Sequence, residues 1–158
     1  MKNKLLNILG FIWCLPVSIL LWIFGLMLTF FGQIESIHVL KNLVFVWNFK
    51  KDSPFCKEEK WFGWSIGNNI FLYIDFEEAI ISNSFIHELT HSKQNYQWGV
   101  FFLPAYIINT IWIWLLYKKK HIYIDNYFER QARKAAGQPI YIPRDSWIDG
   151  PNDRNPWW

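Results

Sequence analysis

The sequence predicts an α+β fold in which an N-terminal transmembrane helix precedes one small domain. Three stretches carry the prediction. Leu5–Phe31 contains no charged residue and is long enough, as a helix, to span a ~30 Å hydrocarbon layer. Residues 38–74 hold β-branched and aromatic runs broken by turn-forming residues. From Phe85 the pattern turns helical, and Phe85–Gln94 reads FIHELTHSKQ. After the anchor, the expected order is a short antiparallel sheet, the helix bearing His87, an apolar helix at the membrane interface and a helix bearing Glu129. The expected boundaries are 1–32 for the anchor, 33–137 for the domain, with its apolar segment at 98–117, and 138–158 for a Pro/Trp-rich tail.

Composition agrees with a membrane protein. The 158 residues are 52% hydrophobic and 20% aromatic, with 11 Trp, which is high for a soluble domain of this size. A net charge of +3 without a long basic run argues against nucleic acid as a partner. Lys2 and Lys4 precede the apolar run as in a signal peptide, but the run is too long and TFFGQIES offers no small-residue cleavage site. An uncleaved anchor is expected, with Pro16 as a point of bending. Cys14 and Cys56 do not make a disulfide framework.

In the β portion, LVFVWNF within 38–49 predicts one strand. Trp61–Ile66 and Ile70–Ile74 flank Gly67–Asn68–Asn69 and predict a hairpin, with Ile70–Ile74 as the free edge available to an extended peptide. Asp75, Glu77 and Glu78 at the following junction read as a solvated turn, not a metal cluster.

The helix over Phe85–Gln94 has Ser82 or Asn83 as N-cap and lacks Gly and Pro. Within it, His87, Glu88 and His91 form H-E-x-x-H. Residues four apart on a helix lie about 6 Å from each other, so both imidazoles can reach one zinc ion while Glu88 stands beside it as a base. Phe85 and Leu89 fall on the opposite face and can pack inward. A chain of this composition contains the motif by chance roughly once in two hundred cases.

Zinc on two histidines needs a third protein ligand. The extended motif with Gly at 94 and His at 97 fails, because both positions are Gln. His121 follows three lysines at a segment boundary and reads as a solvated flank. Glu129, in IDNYFERQARKAAG, sits on a predicted helix ended by Gly137 and Pro139. It shares a side with Asn126, Ala132 and Arg133, and Ala132 permits close helix approach. The competing reading is an ordinary Glu129–Arg133 ion pair.

This constellation resembles the gluzincin zinc peptidases. More closely, His87–Gln94, Gly99, Pro104–Ala105–Tyr106 and Asp125–Ala132 resemble a group of small bacterial membrane proteins of uncharacterised activity. These share HE-x-x-H-x-x-Q, then G…PAY, then DN-x-FE-x-x-A. The resemblance covers about 60–137. It implies a zincin-like domain, with zinc on His87, His91 and Glu129, and Glu88 as the catalytic base.

Trp98–Tyr117 carries no charge over 20 residues and has the length of a transmembrane span. A single crossing would separate His91 from Glu129 by ~30 Å, which a shared metal forbids. The segment is therefore expected to lie in, or dip into, one leaflet, with Pro104, Asn109 and its Trp residues suited to an interface. SNSFIHELTHSKQNYQ is too polar for the middle of a bilayer. Lys41, Lys50, Lys51 and Lys118–Lys120 outnumber Lys2 and Lys4, which favours a cytoplasmic domain.

The function expected is a membrane-anchored zinc metallopeptidase acting on a peptide or protein, in contact with membrane lipid. Tyr123, Tyr127, His121 and Arg130 are the candidate second donors to the oxyanion. The alternative is a catalytically silent membrane protein with a structural zinc or no metal, acting as an interaction module.

Overall fold

A computed structural model describes residues 2–56, 62–116 and 123–140. The chain begins with one long apolar helix, α1 (Lys2–Phe30), which continues through Pro16. Two strands follow, β1 (Ile34–Leu40) and β2 (Val44–Phe49). They are antiparallel and joined by a single turn of 3-10 helix in which Leu43 takes φ 57°. The strand expected over 38–49 is thus two strands, reversed at Lys41–Leu43.

β3 (Gly63–Ile66) and β4 (Asn69–Leu72) form the hairpin expected around Gly67–Asn68. The sheet order is β1-β2-β4-β3, and β2 pairs with β4 in parallel. Two expectations are corrected here. The sheet is mixed, not purely antiparallel, and Ile70–Ile74 is not its edge: β4 is an inner strand and β3 the edge. The reason lies in Ile70, Phe71 and Leu72, all at 0% exposure. Apolar side chains at consecutive positions need a cover on both faces, which only an inner strand between two layers has.

Those layers are α1 on one side and α3 (Asn83–Trp98) on the other. Trp47, Phe49 and Phe71 pack with Leu28, Trp22 and Phe24 of α1. Val44, Val46, Ile70 and Leu72 pack with Phe85 and Leu89 of α3 and Ala79 of the short α2 (Phe76–Ile80). The period-2 alternation of β2 sends its odd residues to α1 and its even ones to α3.

α1 is joined to the domain along its length. The Ser18 hydroxyl accepts from the Asn68 N–H at 3.1 Å, and the Ser18 carbonyl accepts from Asn69 Nδ2 at 3.3 Å. Gly67 (φ 64°) admits this contact, since a Cβ there would lie 2.6 Å from Ser18 Oγ. Nearer its start, α1 meets the far end of α3, where Gly99 (φ 55°) lies under the Trp13 indole with no room for a Cβ. The outward face of α1 stays apolar and exposed at Ile12, Ile19, Leu20, Ile23 and Leu26. One side of α1 is therefore domain core and the other a surface suited to lipid.

After the Gly99 corner, α4 (Phe102–Leu116) exposes Ile107, Ile108, Trp112 and Trp114. The chain then returns so that α5 (Tyr127–Ala135) starts against the middle of α4. Asn126 Nδ2 donates to the Tyr106 carbonyl (3.2 Å) and to Thr110 Oγ1 (2.8 Å), and the Tyr127 N–H donates to Asn109 Oδ1 (2.8 Å). By length and composition alone, two stretches, Ile8–Phe30 and Asn83–Leu115, are long and apolar enough to cross a membrane, and the second includes the polar α3 that bears His87 and His91. The charged loop at 57–60, the lysines 118–120, His121 and the tail from Tyr141 lie outside the described residues.

Candidate metal centre

The Ser82 side chain caps α3 by accepting from the Phe85 N–H at 3.1 Å. With Phe85 and Leu89 in the core under the sheet, the opposite face of α3 presents His87 and His91 to α5. α5 is capped by Asn126, whose Oδ1 accepts from the Phe128 N–H at 2.9 Å. Ala132, fully buried, lets α5 lie close to α3, and Glu129 then points at the two imidazoles.

The three side chains are 5%, 6% and 3% exposed. His87 Nε2 lies 3.1 Å from His91 Nε2 and 3.1 Å from Glu129 Oε2; His91 Nε2 lies 3.2 Å from Glu129 Oε1. Tetrahedral coordination at ~2.0–2.1 Å requires ligand-to-ligand edges of roughly 3.3 Å. The observed separations are close to that value, and the group could hold a metal ion. Glu129 engages the histidines; no ion pair with Arg133 occurs among the described residues.

Hydrogen bonding sets the tautomers that ligation requires. His91 Nδ1 meets Gln94 Oε1 at 2.8 Å. The Gln94 amide nitrogen donates to the Phe128 carbonyl (3.0 Å) and to Gln131 Oε1 (3.1 Å), so its oxygen is the atom facing His91. His91 therefore carries its proton at Nδ1 and offers a lone pair at Nε2. His87 Nδ1 meets Gln138 Oε1 at 3.1 Å in the same sense. Two imidazole lone pairs and a carboxylate then converge on one small volume, and Glu129 Oε2 has no hydrogen-bond partner there. Such a cluster is stable only around a cation or a bound proton.

The electrostatics agree. Burial pushes the Glu129 carboxyl up, but the close approach of His87 and His91 and their positive charge when protonated outweigh it and hold the group well below the usual carboxylate range. Burial disfavours a charged His91, yet Glu129 wins there too and raises the imidazole.

Glu88 is not part of the triad. Its Oε2 lies 2.7 Å from Ser65 Oγ on β3, which also approaches the Glu88 carbonyl at 3.0 Å. Burial raises its carboxyl above the ordinary value, while His91, His87 and the Ser65 hydrogen bond restrain the shift. Among the residues expected as second donors, Tyr123 lies near Glu129, and its phenol is raised by burial and by that carboxylate. Tyr127 is exposed and bonded to Gln131, and Arg130 is exposed. His121 lies outside the described residues.

Three site residues escaped the motif reading. Tyr106 on α4 donates to Glu129 Oε1 at 2.8 Å. Gln94 orients His91, although by sequence alone it has no role beyond failing the glycine position of the extended motif. Gln138 holds His87 from beyond α5. Tyr106 and Gln94 belong to the PAY and H-x-x-Q patterns noted above, where residue type alone gave no role.

Comparison with known protein families, curated proteins and solved structures finds no match to this chain.

Proposed function

We propose that this chain is a membrane-associated zinc metallopeptidase with a zincin-like site, in which His87, His91 and Glu129 hold the ion and Glu88 is the general base. The observation that carries the reading is the convergence of two imidazole nitrogens and the Glu129 carboxylate within about 3.2 Å, beside a second, non-ligating carboxylate, Glu88, held by Ser65. Two histidines and a carboxylate suit zinc, and the oriented Nδ1–H groups suit neutral imidazole ligands. Zinc there supplies Lewis acidity toward a carbonyl oxygen and lowers the pKa of water.

This chain's residues do the rest. Glu88 accepts a proton from the attacking water and passes it to the leaving amine, and its raised carboxyl suits both transfers. Ser65 fixes the carboxylate's position. Tyr106 holds Glu129 in place, and Tyr123, whose phenol feels the charges of Glu129 and Glu88, is the donor candidate. The edge strand β3 carries Ser65, so an extended peptide adding to β3 runs past Glu88.

Substitution Glu88→Gln tests the base role. Hydrolysis of a quenched-fluorescent peptide library should fall by about 10²–10⁴, with bound zinc unchanged. Loss of zinc without unfolding would make Glu88 a ligand, and unchanged hydrolysis would remove it from the chemistry. The second reading, a structural metal in a silent interaction module, draws on the near-complete burial of all three ligand side chains. Zinc-loaded wild type that cleaves no peptide in the library would favour it.

A further inference from the structure

On the side of α3 away from the metal lies a large groove. At about 100° per residue, Leu89, Ser92, Lys93 and Tyr96 fall roughly opposite His87 and His91. They form one wall of a cavity of about 1220 Å³ whose other walls are the first half of α1 and the β1–β2 turn. That volume exceeds the ~300–1,000 Å³ typical of small-molecule sites.

Its chemistry is two-part. α1 contributes Leu9, Ile12, Trp13 and Pro16, and the β1–β2 turn contributes Leu40 and Val44, so the lining is mainly apolar. Among the described residues, the charged ones in the lining are Lys41 and Lys93, and no carboxylate is among them. Both lysines are exposed, and neither makes a salt bridge among the described residues. Ser92, 1% exposed, belongs to this wall and its Oγ has no hydrogen-bond partner. The carbonyl one turn earlier, at Glu88, already accepts from Ser65. Around the groove, the outward face of α1 is exposed and apolar at Ile8, Leu9, Ile12 and Trp13.

We infer that this groove seats one anionic phospholipid of the surrounding bilayer, its acyl chain between α1 and α3 and its phosphate between Lys41 and Lys93. An apolar trough entered from a lipid-facing helix suits an acyl chain. Two cations without a neighbouring acid select a negative headgroup. The site is independent of the metal and of the peptidase reading, because it uses the opposite face of α3.

Native mass spectrometry of the full-length protein in detergent, titrated with phosphatidylglycerol or phosphatidylcholine, tests it. The expected result is one retained phosphatidylglycerol per chain, with a preference of about tenfold or more over phosphatidylcholine. The double variant Lys41→Gln/Lys93→Gln, at exposed positions, should lose that preference. Val100→Trp, which fills the trough, should weaken both lipids together. Equal retention of the two lipids, unaffected by the lysine substitutions, would reduce the groove to ordinary bilayer contact and overturn the inference. So would palmitate binding in place of phosphatidylglycerol, or a lipid-free dimer that Val100→Trp dissociates.

Discussion

At the scale of single residues, the candidate site depends on groups that orient the ligands as much as on the ligands. Gln94 accepts the Nδ1 proton of His91 and is itself tied to Phe128 and Gln131. Gln94→Leu keeps the volume but frees the imidazole, and zinc affinity measured against a competing chelator should fall about 10–100-fold. Unchanged affinity would show that helix geometry alone positions His91. Tyr106→Phe removes one hydroxyl from Glu129 and should weaken zinc binding less, because both imidazoles still engage the carboxylate. The ligand triad itself was legible in the sequence, because H-E-x-x-H is a fixed spacing on one helix and Glu129 sits on a second helix with a small residue three positions on. The orienting residues were not. A Gln or Tyr acquires such a role only when the tertiary fold brings its polar atom within 3 Å of a ligand, and no spacing rule encodes that.

Among elements, the corners carry the specificity. Gly99 ends α3 at φ 55° directly beneath Trp13. Gly99→Ala combines a left-handed backbone with a clash against an indole, and should destabilise the protein by about 2–4 kcal/mol in thermal or denaturant unfolding. A smaller effect would mean that α1 yields readily at that contact. The hairpin at Gly67 and the caps at Ser82 and Asn126 were readable, since turn and cap chemistry is local. Strand order was not, because placing β4 between β2 and β3 depends on a long connection and on cover from both faces. The run Ile70–Phe71–Leu72 did hold the clue, being apolar at successive positions where an edge strand would alternate.

For the whole molecule, the folding of α5 back onto α4 decides how the apolar segments meet a membrane. With Asn126 bonded to Tyr106 and Thr110, and Glu129 beside His87, the proposed metal site requires the sheet and α5 to share one side of a membrane. Single cysteines at Lys51 and Lys134, in a background lacking Cys14 and Cys56, should therefore react alike with an impermeant thiol reagent on intact cells. Labelling of only one, with both reactive after lysis, would mean that Trp98–Tyr117 crosses the bilayer. α1 was legible as an apolar span of the right length, but its second role was hidden. Ser18 and Gly25 look like incidental small residues until the sheet is seen to pack on them.

The central claim is that His87, His91 and Glu129 together hold one metal ion. Metal analysis of the full-length protein, purified in detergent without chelator and with zinc supplied, tests it most directly. The account predicts about one zinc per chain in the wild type and little in His91→Ala or Glu129→Ala, each still folded by circular dichroism. Equal, near-zero zinc in the wild type and both variants would contradict it.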